Sequence, residues 1–126
     1  MKLFKFWKSI LWFFLILYLT IFSGSSFNHV KLFTNADKLV HFGLFTGFSF
    51  LILLDLLKNS DNKPWYHFAF IAFIISTFLG ASTELIQHFF ITGRTGSFLD
   101  LSADIIGSVF GMILIKFYKK LFGLSF

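Results

Sequence analysis

Four long apolar stretches, separated by short polar segments, limit what this chain can fold into more than any other feature. They cover approximately residues 6–23, 39–57, 66–90 and 98–118. An α-helix rises about 1.5 Å per residue, so about 20 apolar residues span the hydrocarbon core of a bilayer. Such runs pair their backbone polar groups internally only as helices. The sequence therefore predicts an all-α polytopic membrane protein with four transmembrane helices, in a single domain of residues 1–126.

Composition and charge exclude two other classes of protein. With 56% hydrophobic and only 13% charged residues, the chain lacks the charge that keeps a small soluble domain dissolved. The net charge of +5 is compatible with nucleic-acid binding, but the lysines lie at the ends of the apolar stretches and form no stripe. We therefore expect the lipid bilayer as a partner and no nucleic acid. The absence of cysteine excludes disulfides, thiolate metal sites and a cysteine nucleophile.

The first apolar stretch can be read in two ways. It is short and lysines precede it, which is typical of a cleaved signal peptide. Its bulky aromatic residues, among them Trp12 and Tyr18, and the lack of a clear small-x-small cleavage site favour a retained first span. In both cases the start of the chain is expected in the cytoplasm.

The distribution of basic residues predicts the orientation in the membrane. With four spans, eight lysines fall on one side, and Lys31, Lys38 and Arg94 fall on the other. Because cytoplasmic loops carry an excess of lysine and arginine, both termini are predicted to face the cytoplasm.

Polar residues from three spans converge at the opposite, outer face. All of them lie at the outer ends of the second, third and fourth spans or in the turn between the last two. The predicted polar site consists of Asp37, His41, Glu84, Gln87, Arg94, Asp100 and Asp104. Ionisable groups are costly in hydrocarbon, so their presence at membrane depth indicates a function.

Glycines at helical spacing predict close packing between spans. Gly43 and Gly47 form a small-xxx-small pair in the second span, and Gly107 and Gly111 form another in the fourth. Such pairs let a neighbouring helix approach closely. Gly80 lies on the small and polar face of the third span. We therefore expect spans two, three and four to pack through these faces, with the first span more peripheral.

The residue types leave three interpretations of the polar site open. Arg94, between Gly93 and Gly96, offers a fork of donors that suits an anion such as a lipid headgroup. The carboxylates and His41 can instead hold a hard cation or work as acid and base. The third interpretation is structural, because polar side chains also join membrane helices, at about 0.6 kcal/mol per contact.

Arg94 is the strongest single candidate, because the ten other basic residues are lysines. A mere interfacial anchor is served by either residue type. We predict that Asp100 or Glu84 holds Arg94, and that its remaining donors face an anionic headgroup. The sequence assigns no catalytic residue, metal, cofactor or oligomeric state.

Four short motifs occur together in the last two thirds of the chain. They are D-K-L-V-H-F at 37–42, T-E-L-I-Q at 83–87, G-R at 93–94 and D-x-x-x-D-x-x-G at 100–107. In this order and approximate spacing they resemble the VanZ-like family of small multispan bacterial membrane proteins, over about residues 37–115. One position departs from the family pattern, which has asparagine where this chain has Asp104. The change removes an amide donor and adds a potential negative charge.

The resemblance implies a location in the bacterial cytoplasmic membrane and a link to tolerance of teicoplanin-type antibiotics. It supplies no established reaction, so two functions stay open. The first is a non-catalytic envelope factor that binds an anionic lipid or lipid-linked wall precursor, or alters antibiotic access to it. The second is a small membrane enzyme that acts on a phosphate-bearing lipid through the Glu, Asp, His and Arg cluster. The absence of a recognisable nucleophile motif favours the first.

Overall fold

The structure is helical throughout its described parts. The computed structural model describes residues 2–22, 35–59, 64–92 and 96–125, and these ranges contain no strand. Four helical segments are long and apolar enough to cross a membrane. The chain is therefore a polytopic all-α membrane protein with four spans, as the apolar stretches predict.

The spans differ in regularity. The first begins with a 3₁₀ turn, continues as helix α1 (Trp7–Leu17) and ends in a π-helical turn (Tyr18–Phe22). Three longer helices follow, namely α2 (Ala36–Asn59), α3 (Trp65–Phe90) and α4 (Phe98–Phe122). Helices α2 and α4 extend past the predicted apolar runs, because a helix continues into the polar interface where charged side chains are solvated.

Local sequence signals account for several helix ends. Pro64 directly precedes α3 with a φ of −65°, the value that proline imposes and that a helix start needs. Asn35 precedes α2 with a φ of 75°, a left-handed conformation that asparagine tolerates. Gly123 ends α4 in the left-handed region, and the next residue, Leu124, donates its N–H to the carbonyl of Lys119 at 3.1 Å.

Contacts between helices define two ends of the bundle. Ser9, early in α1, meets Asp55, late in α2, and Lys116, late in α4, lies over the ring of Trp65 at the start of α3. We call this the lysine end, because Lys5, Lys8, Lys58, Lys116 and Lys120 are exposed there. The opposite end carries His41, Glu84 and Asp104 and is called the cluster end. Helices α2 and α4 are thus parallel, and α3 is antiparallel to both.

Helices α2 and α4 form the most extensive helix pair of the bundle. A Cβ atom on Gly107 would collide with the backbone carbonyl of Phe42, and one on Gly111 would collide with Thr46 and Ser49. Hydroxyl groups cross the same interface, since Ser49 donates to the carbonyl of Ser108 at 2.8 Å. The two glycines therefore let the backbones approach closely, as the spacing of Gly107 and Gly111 predicts.

The glycine pair of α2 behaves differently from its prediction. A Cβ on Gly47 would collide with the indole of Trp12, so this residue packs against the first span and not against α4. Gly43 is exposed, and no described atom lies within 4 Å of its Cβ position. The glycine spacing alone did not distinguish these positions, because both lie on a side of α2 that is turned away from α4.

Apolar side chains divide between a core and a lipid-facing surface. One core cluster near the lysine end is formed by Leu53, Leu54, Leu57, Phe68, Ala72 and Ile115. Large exposed side chains, such as Phe70, Phe78 and Phe117, cover the outside of the bundle. In a chain with four membrane-spanning helices, this surface contacts the lipid bilayer.

Candidate functional site

Three helices bring one histidine and two carboxylates together at the cluster end. Nδ1 of His41, on α2, forms a hydrogen bond of 2.9 Å with Oδ1 of Asp104, on α4. The same nitrogen lies 3.8 Å from Oε1 of Glu84, on α3. All three side chains are buried. We call His41, Glu84 and Asp104 the His41 cluster.

Small residues make room for this cluster. A Cβ on Gly80 of α3 would lie 2.9 Å from Oδ2 of Asp104, so the glycine lets this carboxylate lie against the α3 backbone. Gly107, one helical turn after Asp104, lets α4 approach α2 and so brings Asp104 within reach of His41. Both glycines therefore serve the site as well as the packing.

Glu84 also joins the ends of α3 and α4. Its Oε2 accepts a hydrogen bond of 2.8 Å from the backbone N–H of Ser97, the residue before α4. This N–H belongs to the start of a helix, where backbone donors lack intrahelical partners and favour a negative charge. One oxygen of Glu84 is thus structural, and the other is directed towards His41.

A second group of polar residues lies beside the His41 cluster, closer to solvent. Nζ of Lys38 lies 3.6 Å from Oδ1 of Asp100, in a long ion pair whose lysine side chain is 35% exposed. Asp37 is exposed and can present a carboxylate oxygen near His41 and Asp100. The sequence places Lys38 only among the basic residues on the outer side. Its position three residues before His41, on the same helical face, was the signal that could have assigned it to the site.

Gln87 does not join the His41 cluster. Its Nε2 donates a hydrogen bond of 2.8 Å to the backbone carbonyl of Thr20, in the π-helical turn of the first span. Its side chain is buried against that span. Gln87 therefore ties α3 to the first span, which is a packing role that the sequence pattern grouped with the polar site.

Arg94 lies outside the described residues, as do Gly93 and Thr95. Its pairing with Asp100 or Glu84 stays a prediction. Gly96 is described, and a Cβ there would lie 2.8 Å from the backbone oxygen of Glu84. This glycine is thus needed for the close approach of the chain to α3.

Several buried oxygen atoms at the cluster end lack a hydrogen-bond partner within the described ranges. They are Oε1 of Glu84, Oδ1 of Asp100 and Oδ2 of Asp104. Buried polar atoms are nearly always paired in proteins, and each exception calls for an explanation. Oδ1 of Asp100 has only the long ion pair with Lys38, at 3.6 Å. The arrangement is acidic and these atoms are acceptors, so it is suited to bind something positively charged.

The lysine end contains a buried carboxylate, Asp55, that the predicted polar site does not include. Oδ2 of Asp55 accepts a hydrogen bond from the hydroxyl of Ser9, and both residues are buried. A serine inside an otherwise apolar run was the signal for this partner. A cavity of about 280 Å³ also lies at this end, lined by Leu57, Trp65, Ile115, Lys116 and Lys119.

Fold and site together define the class of this protein as a four-span membrane protein with a buried carboxylate–imidazole cluster at one end of its bundle. Comparisons of the chain with protein-family models, curated proteins and solved structures gave no match.

Proposed function

We propose that the protein is a VanZ-like factor of the bacterial cell envelope that binds an anionic lipid headgroup, or a lipid-linked wall precursor, at the cluster end. The observation that carries the proposal is the convergence of polar side chains from α2, α3 and α4 in one layer. Such groups are costly within a membrane and are retained where they serve a function. The motif resemblance over residues 37–107 supports the link to the envelope.

The charge balance decides where an anion can bind. The buried carboxylates of Glu84 and Asp104 would repel a phosphate, so the headgroup is expected at the more exposed edge of the site. Lys38 lies at that edge and is only loosely paired with Asp100, at 3.6 Å. Arg94 follows α3 by four residues in the sequence, and its planar donor fork suits phosphate.

Headgroup binding can be measured on the purified chain in nanodiscs, with chelator present so that metal ions play no part. We expect wild type to retain phosphatidylglycerol over phosphatidylcholine in native mass spectrometry. The double variant Lys38→Gln/Arg94→Gln should reduce this preference by about tenfold or more, because each charge-assisted contact contributes about 1.5–3 kcal/mol. The matched control Lys58→Gln/Lys120→Gln removes two charges at the lysine end and should leave the preference intact. Equal losses in both double variants would refute a site at the cluster end.

The link to antibiotic tolerance has its own test in cells. Expression of the chain in a teicoplanin-sensitive bacterium should raise the inhibitory concentration of teicoplanin. Arg94→Lys keeps the charge but removes the bidentate geometry, so it should abolish the effect without changing expression. Tolerance that persists in Arg94→Lys would reduce Arg94 to a membrane anchor.

A second candidate function is catalysis on a phosphate-bearing lipid, and one observation favours it. His41 is hydrogen-bonded to Asp104 in a buried pair, and a carboxylate that orients an imidazole is the arrangement of a general base. Turnover of a labelled phospholipid, lost in His41→Gln while lipid retention persists, would identify an enzyme. Retention without turnover identifies a binding factor.

We also infer that the lysine end faces the cytoplasm and the cluster end faces outward, because lysines accumulate at the former. The chain has no cysteine, so single-cysteine variants report topology without background. An impermeant maleimide should label Thr92→Cys in intact cells, and Lys120→Cys only after lysis. The reverse pattern would invert the orientation.

A further inference from the structure

The His41 cluster has the donor set and spacing of a metal site. One imidazole nitrogen and one oxygen from each carboxylate lie within 4.8 Å of one another. From Nδ1 of His41 the distances are 2.9 Å to Asp104 and 3.8 Å to Glu84. Ligands bound at about 2.0–2.2 Å in a tetrahedral zinc site lie about 3.3–3.6 Å apart, a value between these two distances. The separation of 2.9 Å would have to widen and that of 3.8 Å to shorten, each by about half an ångström.

Unpaired oxygens at the same place are an independent indication of a ligand. Oε1 of Glu84 and Oδ2 of Asp104 have no hydrogen-bond partner among the described residues. Glu84 is 7% exposed and Asp104 0%, so bulk water does not take the place of a partner. Oε1 of Glu84 is also the oxygen closest to Nδ1 of His41, so it is directed into the space between the three side chains.

The charge of the cluster selects the kind of ligand. Two ionised carboxylates bring two negative charges into a membrane interior, where unpaired charge is strongly disfavoured. A proton on His41 would neutralise one of them, and a divalent cation neutralises both. One imidazole with two carboxylates suits zinc or manganese, whereas calcium takes six to eight oxygen ligands.

We propose that His41, Glu84 and Asp104 bind one divalent transition-metal ion, with zinc and manganese as the best fits to the donor set. Nδ1 of His41 becomes a ligand; an imidazolium loses its Nδ1 proton to solvent when the ion binds, whereas a neutral ring keeps its one hydrogen on Nε2. Gly80 keeps the Asp104 carboxylate uncrowded, because a Cβ there would lie 2.9 Å from Oδ2. This inference does not rest on lipid binding or on Arg94.

The test uses the full chain purified in detergent, stripped of metal with chelator and desalted. Zinc and manganese are titrated by calorimetry, bound metal is counted by plasma mass spectrometry, and manganese is also followed by electron paramagnetic resonance. We expect one ion per chain and a higher melting temperature with the ion bound. Asp104→Asn and Glu84→Gln keep the side-chain shape but remove an anionic ligand, and should weaken binding at least tenfold. The control Asp55→Asn changes a buried carboxylate at the lysine end and should bind like wild type.

A fourth variant separates the loss of a metal ligand from the loss of folding, which Asp104→Asn alone does not separate. Gly80→Ala keeps all three ligands but crowds Oδ2 of Asp104, so it should weaken metal binding while the chain stays folded by size-exclusion chromatography. The proposal is overturned if wild type binds no more metal than His41→Ala/Asp104→Asn. It is equally overturned if Asp55→Asn lowers the affinity as much as Asp104→Asn. If the purified chain keeps its headgroup preference in chelator but binds no metal, the metal inference is refuted and the proposed function is not.

Discussion

The two ends of the bundle handle buried charge in different ways. At the lysine end the basic side chains are exposed, and the buried carboxylate of Asp55 has the hydroxyl of Ser9 as its partner. At the cluster end two carboxylates surround one imidazole, and an oxygen of each has no hydrogen-bond partner among the described residues. Among the described residues, the buried carboxylate of the lysine end has a partner, whereas the two carboxylates of the cluster end keep unpaired oxygens.

The exposed lysines of the lysine end are explained by anchoring in the membrane, whereas the His41 cluster is not. Exposed lysines at helix ends hold a membrane protein at the interface, because their chains reach the headgroup region while their stems stay in apolar surroundings. Anchoring does not require a buried His–Asp–Glu group, and interhelical packing is already provided by Gly107 and Gly111. The metal ion proposed above would take up the acceptors of the His41 cluster that have no partner among the described residues.

The largest loss of stability is expected at His41, because both buried carboxyl groups of the cluster depend on this one side chain. His41→Leu leaves Glu84 and Asp104 buried without their imidazole partner. Each buried carboxyl group left without its partner costs about 1–3 kcal/mol, and more when it is charged. The free energy of unfolding, measured by reversible SDS unfolding in mixed micelles with chelator, should fall by this amount. The control His88→Leu changes an exposed histidine in the last turn of α3 and should have little effect. Equal stability of the two variants would show that His41 does not stabilise the two buried carboxyl groups.

The close approach of α2 and α4 gives the next largest effect. Gly107→Ala places a methyl group against the backbone carbonyl of Phe42, which cannot rotate away. Overpacking of this kind costs about 1–3 kcal/mol. Gly43→Ala is the matched control, because no described atom lies within 4 Å of the added methyl group, and it should gain about 0.5–1 kcal/mol from helix propensity. The same unfolding assay applies, and two equally stable variants would contradict the glycine-mediated interface.

A smaller loss of stability is expected at the lysine end. Ser9→Ala removes the hydroxyl that pairs with Asp55, and interhelical hydrogen bonds in membrane proteins contribute about 0.6 kcal/mol on average and at most about 1.7. The free energy of unfolding of Ser9→Ala should therefore fall by about 1 kcal/mol. Ser82→Ala should show no such fall, because the hydroxyl of Ser82 donates to the carbonyl of Phe78 within α3. A loss as large as that of His41→Leu would remove the distinction between the two ends.

The smallest effect on stability is expected from the exposed edge of the cluster end. Lys38→Gln breaks a long ion pair with Asp100 whose lysine is partly exposed, and such pairs contribute about 0–1 kcal/mol. Lys58→Gln, at the other end of α2, should be indistinguishable from it in unfolding. If Lys38→Gln is instead strongly destabilising, Asp100 belongs to the buried electrostatic balance together with the His41 cluster.

Much of the candidate site was predictable because its residues lie at the ends of spans on one side. The positions of Asp37, His41, Glu84, Asp100 and Asp104 along their helices place them in one layer as soon as the topology is known. Sequence position did not reveal that Gln87 contacts the first span or that Lys38 approaches Asp100. These outcomes depend on the rotation of each helix about its axis, which an apolar run of nearly uniform hydrophobicity does not specify.

The sequence by itself determined the number and type of the helices and their approximate bounds. These are local properties, because the length of an apolar run against the thickness of a bilayer decides whether a helix spans it. Only the tertiary structure decided which polar groups meet, such as His41 and Asp104, which are 63 residues apart. The physical reason is steric: backbone contacts at Gly107 and Gly111 set the register of α4 against α2, and the contact at Gly80 sets how closely α3 lies against Asp104. The side chains of the cluster then meet where this packing places them.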